Sequence, residues 1–273
     1  MTAALRTEYR KLVTTRLWWV LLATMAAYMA FLAGVMGFAL TQSPDASGAG
    51  MPGTGPGAPM SPEQVARAVY TLATSLGYVF PVIVGALAMT GEFRHQTITP
   101  TLLAEPRRTV FLAAKMLSSV AVGLLFGVVG TVATVSAGAG VLALLGEPTH
   151  LGDPVVLRSA GLSVLALTVW AVVGVGFGTL LTNQVAAVVV LLAFTQFVEP
   201  VLRVVLGQVG ALQGVSKYLP GAAGEAITGS SFYADSGMAA GLLPSWAGLL
   251  VLLGYAVLLA AAGRLTTLRR DIT

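Results

Sequence analysis

Apolar residues in this chain fall in long runs broken by short polar stretches. Six runs stand out: Leu17 to Leu40, about Val65 to Met89, about Phe111 to Leu145, Val155 to Leu181, Val185 to about Leu206, and about Leu243 to Gly263. A bilayer core about 30 Å thick takes about 20 helical residues, and each run is long enough. Backbone groups have no water to bond in lipid, so runs of this kind form helices. The expected fold is an all-α integral membrane protein with six transmembrane helices. The third run exceeds one straight crossing, so its start is expected to lie along the membrane interface.

The segments between the runs differ in kind. Thr41 to Pro62 is rich in Gly, Pro, Ser and Ala and has no periodicity, which predicts a flexible outer loop over 41–62. The stretch 207–241 alternates short apolar pieces with Gly, Pro and single charges, as in Lys217-Tyr218-Leu219-Pro220-Gly221. It is too polar to span and too apolar to be free. It predicts short re-entrant helices before the last span, packed on protein rather than lipid. At the start, Leu5, Tyr9, Leu12 and Val13 share one helical face, with Arg6, Arg10 and Lys11 off it. That pattern predicts an interfacial elbow helix over 1–16, with Trp18 and Trp19 at the membrane boundary.

Charge fixes the expected topology. Only 10% of the 273 residues are charged and 56% are apolar, with mean hydropathy +0.85; a soluble domain would carry about a quarter charged residues. Four basic residues lie in the N-terminal arm (Arg6, Arg10, Lys11, Arg16). Four more lie in or just after the loop behind the second run (Arg94, Arg107, Arg108, Lys115), and three in the tail (Arg264, Arg269, Arg270). Eleven of the fifteen Lys and Arg thus fall on one side, leaving Arg67, Arg158, Arg203 and Lys217 for the other. By the positive-inside rule both termini are cytoplasmic. The first run is too long for the h-region of a signal peptide. The net charge of +4 flanks the spans instead of forming a patch, so it marks topology and gives no reason to expect nucleic acid. The chain has no cysteine, which excludes disulfides, Cys-ligated zinc and thiol catalysis.

The most chemically distinctive stretch is the loop 91–110, which carries Glu92, Arg94, His95, Thr97, Ile98, Thr99, Leu102, Arg107 and Arg108. Thr97 to Leu103 offers a cap, a proline-started turn and an apolar side, enough for a short helix. A mixed-sign block of this kind suits a cytoplasmic docking surface. His95 has no second His or Cys beside it and does not read as a metal ligand.

The order Glu92, Gln96-Thr97, Leu102-Leu103, Pro106, Arg107-Arg108 and then Lys115 at the next span resembles the membrane subunits of type-2 ABC exporters, the permeases paired with separate ATPases. The opening Glu8-Tyr9-Arg10-Lys11-Leu12, the segment Thr15-Arg16-Leu17-Trp18-Trp19, and Tyr218-Leu219-Pro220-Gly221 before the last span look like that family too, so the resemblance covers essentially the whole chain. It departs at Gln96, where the family often has glycine. The resemblance implies that loop 91–110 is a coupling helix seated on an ATPase subunit, with the elbow residues Tyr9, Arg10 and Lys11 beside it. It implies two ATPase copies, a second permease copy or paralogue, surrounding membrane lipid, and a bacterial inner or plasma membrane. ATP would be bound by the partner, with no cofactor in this chain. The expected cargo is hydrophobic or amphipathic: a drug, lipid or peptide.

Two other features carry possible chemistry. Glu199 and Arg203 stand at i, i+4 around Pro200 near the outer end of the fifth run, where they can pair as an outer gate or a structural ion pair, and Pro200 can kink the helix. Arg67 and Arg158 read as snorkelling residues at the outer edge. Gly123-xxx-Gly127 and Gly174-x-Gly176-x-Gly178 allow close helix approach. No Gly-x-x-x-x-Gly-Lys-Ser/Thr, His-Glu-x-x-His or Gly-x-Ser-x-Gly occurs, so the chain reads as a transport subunit without its own ATPase site, not an enzyme. The rival readings are an ion-gradient-driven secondary transporter, which would want mid-membrane carboxylates or repeated halves, and an intramembrane enzyme, which would want polar pairs on different spans.

Overall fold

The structure, a computed structural model, describes residues 17–42, 60–209, 212–231 and 241–269. The elbow residues Tyr9, Arg10 and Lys11 lie outside them, as does most of loop 41–62. Among the described residues the secondary structure is entirely helical. Five helices are long and apolar enough to cross a membrane: α1 (Leu17–Gln42), α6 (Arg108–Leu144), α7 (Pro154–Gly178), the run Gln184–Gln208, and α12 (Ser245–Leu265). This is the architecture of a multi-pass membrane protein.

The second apolar run is not one helix. It divides into α2 (Pro62–Tyr70), α3 (Leu72–Ser75) and α4 (Val79–Arg94). Ser61 and Gln64 cap α2 reciprocally, with Pro62 in the first turn. A break follows at Leu76, Gly77 and Tyr78. A Cβ on Gly77 would stand 2.6 Å from Met29 Sδ and 2.8 Å from the Ala73 carbonyl oxygen, so only glycine fits the chain's close pass there. Hydropathy alone cannot show such a break, because the interrupted residues are as apolar and as buried as the helical ones.

The third run is one unbroken helix of 37 residues, about 55 Å long at 1.5 Å per residue. Its start does not leave as a separate interfacial piece. Phe111 in its first turn is buried in a cluster with Met89, Ile98 and Leu268, and this packing holds the first turns to the bundle.

Helix α7 is the hub. Two-thirds of its most apolar window is buried (67%), against 22–33% for the other four long helices. Asp153 caps it and Pro154 starts it. The glycines flagged in the sequence sit where it meets its neighbours. A Cβ on Gly174 would lie 2.1 Å from the Val82 carbonyl oxygen of α4, and one on Gly176 would lie 2.7 Å from that of Ala256 on α12. Gly123 and Gly127 of α6 press on Thr168 and Val164 of α7 in the same manner. Small residues thus let backbones approach where lipid supplies no hydrophobic drive between helices.

The run Gln184–Gln208 consists of α8 (Gln184–Ala193), a π-turn at Phe194–Val198 and α9 (Glu199–Gln208). Between it and α12 the described residues include two short helices, α10 (Gln213–Ser216) and α11 (Pro220–Thr228). Every residue of α11 is buried. It ends on Gly229 in the left-handed region, φ 70°. Arg67 of α2 donates to the Gly229 carbonyl at 2.6 Å, so this cation is spent on a helix end, while Arg158 is exposed. Thr41 and Gln42, assigned above to the loop, are the last turn of α1.

Candidate functional site

Two polar sites stand at opposite ends of the bundle. The first is built on α4, α5 (Ile98–Ala104) and the start of α6. Helix α4 ends at Arg94, and Gln96 then reverses the chain with a left-handed φ of 55°. A side chain there costs about 1–2 kcal/mol, and the cost is met by the bonds that follow.

Those bonds centre on Glu92. Its side chain is only 3% exposed. Oε1 pairs with the Lys115 Nζ at 2.7 Å, and Lys115 is 2% exposed. Oε2 accepts from the Thr97 hydroxyl at 2.5 Å and, at 3.4 Å, from that of Thr101. The Thr97 amide also donates to the Glu92 carbonyl at 2.9 Å. Lys115 lies 5.7 Å from the Phe111 ring centroid, within cation–π reach. Glu92 therefore faces inward and braces the loop. Ile98 is buried against Met89, Phe111 and Leu268, with Leu102 packed at the edge. Arg108 donates to the Leu268 carbonyl.

The outward side carries Arg94, His95, Thr99, Leu103 and Arg107. Arg94 reaches Gln184 at 3.2 Å, which ties the loop to the start of α8. Arg107 bonds Glu105 at 2.9 Å; this bond holds the Glu105 carboxyl below its ordinary range and raises the Arg107 guanidinium. Leu103 is 78% exposed. The candidate residue Leu102 is half-buried. Ile98 and Leu102 stand at i, i+4 on one face, so Leu103 must leave it.

The second site is a buried ion cluster. Glu199 and Arg203 pair as their spacing predicts: the Glu199 Oε1 accepts from Arg203 Nη2 at 3.0 Å and Nε at 3.2 Å. A further partner, Glu225 on α11, was not found from sequence. Arg203 Nη1 meets its Oε2 at 2.9 Å. The three side chains are 1–4% exposed. The Gly221 amide donates to Glu199 Oε1 at 2.5 Å, and Ser231 donates to Glu225 Oε2. A Cβ on Gly221 would strike Arg203 Nη2 at 2.1 Å, so Pro220-Gly221 starts α11 while leaving room for the guanidinium. The planar fork of arginine serves two carboxylates at once. Glu199 Oε2 and Glu225 Oε1 are buried with no hydrogen-bond partner among the described residues. Glu225 lies 22 residues beyond Arg203, and only the folded position of α11 reveals it.

No group of three or more His, Cys, Asp and Glu able to hold a metal converges among the described residues. No family model matches the chain, and no curated protein matches its sequence.

Proposed function

We propose that the chain is the membrane subunit of an ATP-driven exporter that moves a hydrophobic or amphipathic molecule outward with a separate ATPase subunit. The observation that carries this reading is the loop 91–110. Its inner side is locked by Glu92, Lys115, Thr97 and Ile98, and its outer side presents Arg94, His95, Thr99, Leu103 and Arg107. A rigid, charged element with one apolar knob is what a coupling contact needs: a force applied to its outer side passes to α4 and α6 without being absorbed by loop motion.

In this proposal the pieces α2 to α4 together form a sixth crossing, both termini are cytoplasmic, and α10 and α11 are re-entrant at the outer face. The basic residues of loop 91–110 and of 264–270 then share the cytoplasmic side. Two copies of the permease, or one with a paralogue, stand on two ATPase copies in a bacterial plasma membrane. Closure of the ATPase pair around ATP pushes the loop and the elbow helix, and the long helices rock. The Glu199–Arg203–Glu225 cluster holds the outer helices as one gate. The family resemblance in motif order supports the partner; the bracing of the loop supports the mechanism.

The test is efflux from liposomes holding the permease with its ATPase. Outward transport should require ATP and should be lost in Leu103→Glu and Arg94→Glu permeases that fold normally. A gradient-driven transporter is the second reading, favoured by the buried carboxylates Glu199 and Glu225. Transport by the permease alone, driven by an ion gradient, would establish that reading instead.

A further inference from the structure

We propose that Tyr78 is a positioning residue: its hydroxyl holds the π-turn of the fifth long run open and thereby sets which way Glu199 and Arg203 point. Pro200 sets the local backbone geometry. Proline has no N–H, and its ring crowds the carbonyl four residues back. The chain relieves this by widening into a π-turn at Phe194–Val198, in which the Glu199 amide reaches the Phe194 carbonyl five residues back. One carbonyl loses its main-chain donor as a result. In an α-helical pattern Thr195 would accept from the Glu199 amide, which is already used. In the π pattern it would accept from residue 200, which is proline.

The Tyr78 hydroxyl fills that vacancy, donating to the Thr195 carbonyl at 3.1 Å. Tyr78 is 3% exposed, so the bond is made in a dry site. Its ring is stacked on Trp170 of α7, centroids 4.4 Å apart and planes 28° apart. The residue stands at the break that opens α4, and that break aims it across at the π-turn. Two irregular points of the backbone therefore meet through one hydroxyl.

The consequence lies one residue further on. If the π-turn closes to α, the Glu199 amide moves from the Phe194 to the Thr195 carbonyl, and every residue beyond turns by about one helical position, roughly 100°. Each residue then takes the direction of its successor. Arg203 would face where Val204 now faces, and Glu199 and Glu225 would lose the guanidinium between them. The Tyr78 hydroxyl opposes this by giving the Thr195 carbonyl a partner that the π form alone requires. The assignment does not rest on the transport reading, and its test needs no ATPase.

The absence of cysteine makes the test direct. Single cysteines at Val185, Val189, Phe197, Val201, Val204 and Val205 are reacted in the full chain in membranes with a lipid-soluble thiol reagent. With Tyr78 present, reactivity should follow the exposed positions, which include Val201 and Val205 and leave Val204 half-buried. In Tyr78→Phe, Val204→Cys should gain the reactivity that Val201→Cys and Val205→Cys lose, while Val185→Cys and Val189→Cys stay unchanged. Replacing Tyr78 by p-aminophenylalanine, which keeps a donor on the same ring, should restore the original pattern. An unchanged pattern beyond Glu199 in a folded Tyr78→Phe protein overturns the proposal. So does a shifted pattern with p-aminophenylalanine, a result that can be read even if Tyr78→Phe fails to fold.

Discussion

Lys115→Met is the sharpest probe of the braced loop. The Nζ lies 2.7 Å from Glu92 Oε1 with both side chains almost fully buried, and removing one member of such a pair strands a charge at a cost of about 3–5 kcal/mol. Replacing both, as in Glu92→Leu with Lys115→Met, removes the charge along with its partner. It still leaves the Thr97 hydroxyl without its acceptor, a loss of about 1–3 kcal/mol, while the Thr101 hydroxyl keeps the Thr97 carbonyl at 2.7 Å. The double variant should therefore be more stable than Lys115→Met alone, and its loss should fall short of the sum of the two single losses by about 3 kcal/mol or more, since each single change strands a charge and the double change does not. At roughly 2–4 °C per kcal/mol for a chain of this size, Lys115→Met should melt about 6–20 °C lower in detergent. Arg94→Glu, on the exposed side, should stay within about 0.5 kcal/mol of the unaltered protein. The assay is thermal unfolding of the purified chain followed by circular dichroism. A Lys115→Met protein within about 1 kcal/mol of the original, or additive losses in the double variant, would refute the bracing argument.

Further outcomes follow from the same contacts. Gln96→Gly should relieve the left-handed strain at φ 55° and, after the added freedom of the unfolded chain, raise stability by up to about 1 kcal/mol, read in the same melt. Gly174→Ala would place a methyl 2.1 Å from the Val82 carbonyl oxygen and should destabilise by about 1–3 kcal/mol or more, whereas Gly140→Ala, inside the same kind of helix but with nothing within 4 Å, should be neutral to stabilising by up to about 1 kcal/mol. Arg203→Lys cannot serve both carboxylates and should lower stability by roughly 1–3 kcal/mol; equal stability of the lysine protein would contradict the forked geometry. The Glu105 carboxyl, held low by Arg107, contributes its bond above its unfolded value and loses it as pH falls through the lower folded value. The pair should therefore persist to mildly acidic pH and open only in acid, as followed by the carboxyl carbon resonance.

Much of this fold could be read from hydropathy because lipid demands long apolar helices, and five of the six runs are such helices within a few residues. The sixth, about Val65 to Met89, is broken around Gly77 by close packing on Met29 and Ala73, a contact between parts of the chain that no local pattern records. The Glu199–Arg203 pair was legible because both residues lie on one helix at i, i+4. Glu225 was not, because its place depends on how α11 folds back. Glu92 looked like a docking residue by its charge and turned inward, since Lys115 and Thr97 converge on it only in three dimensions. Leu103 is exposed for a reason the helical period already contained.

The central claim is that the outward side of loop 91–110 engages an ATPase. The most direct measurement is purification of the tagged chain from its native membrane, with the ATP hydrolysis of the eluate and the identity of its partner determined for the unaltered protein and for Leu103→Glu with Arg94→Glu. The account predicts a P-loop ATPase subunit that co-purifies at one copy per chain, and its release by the paired substitution without loss of the chain's fold. An intact, folded protein that carries no such subunit, or one that keeps it after both substitutions, would contradict the account.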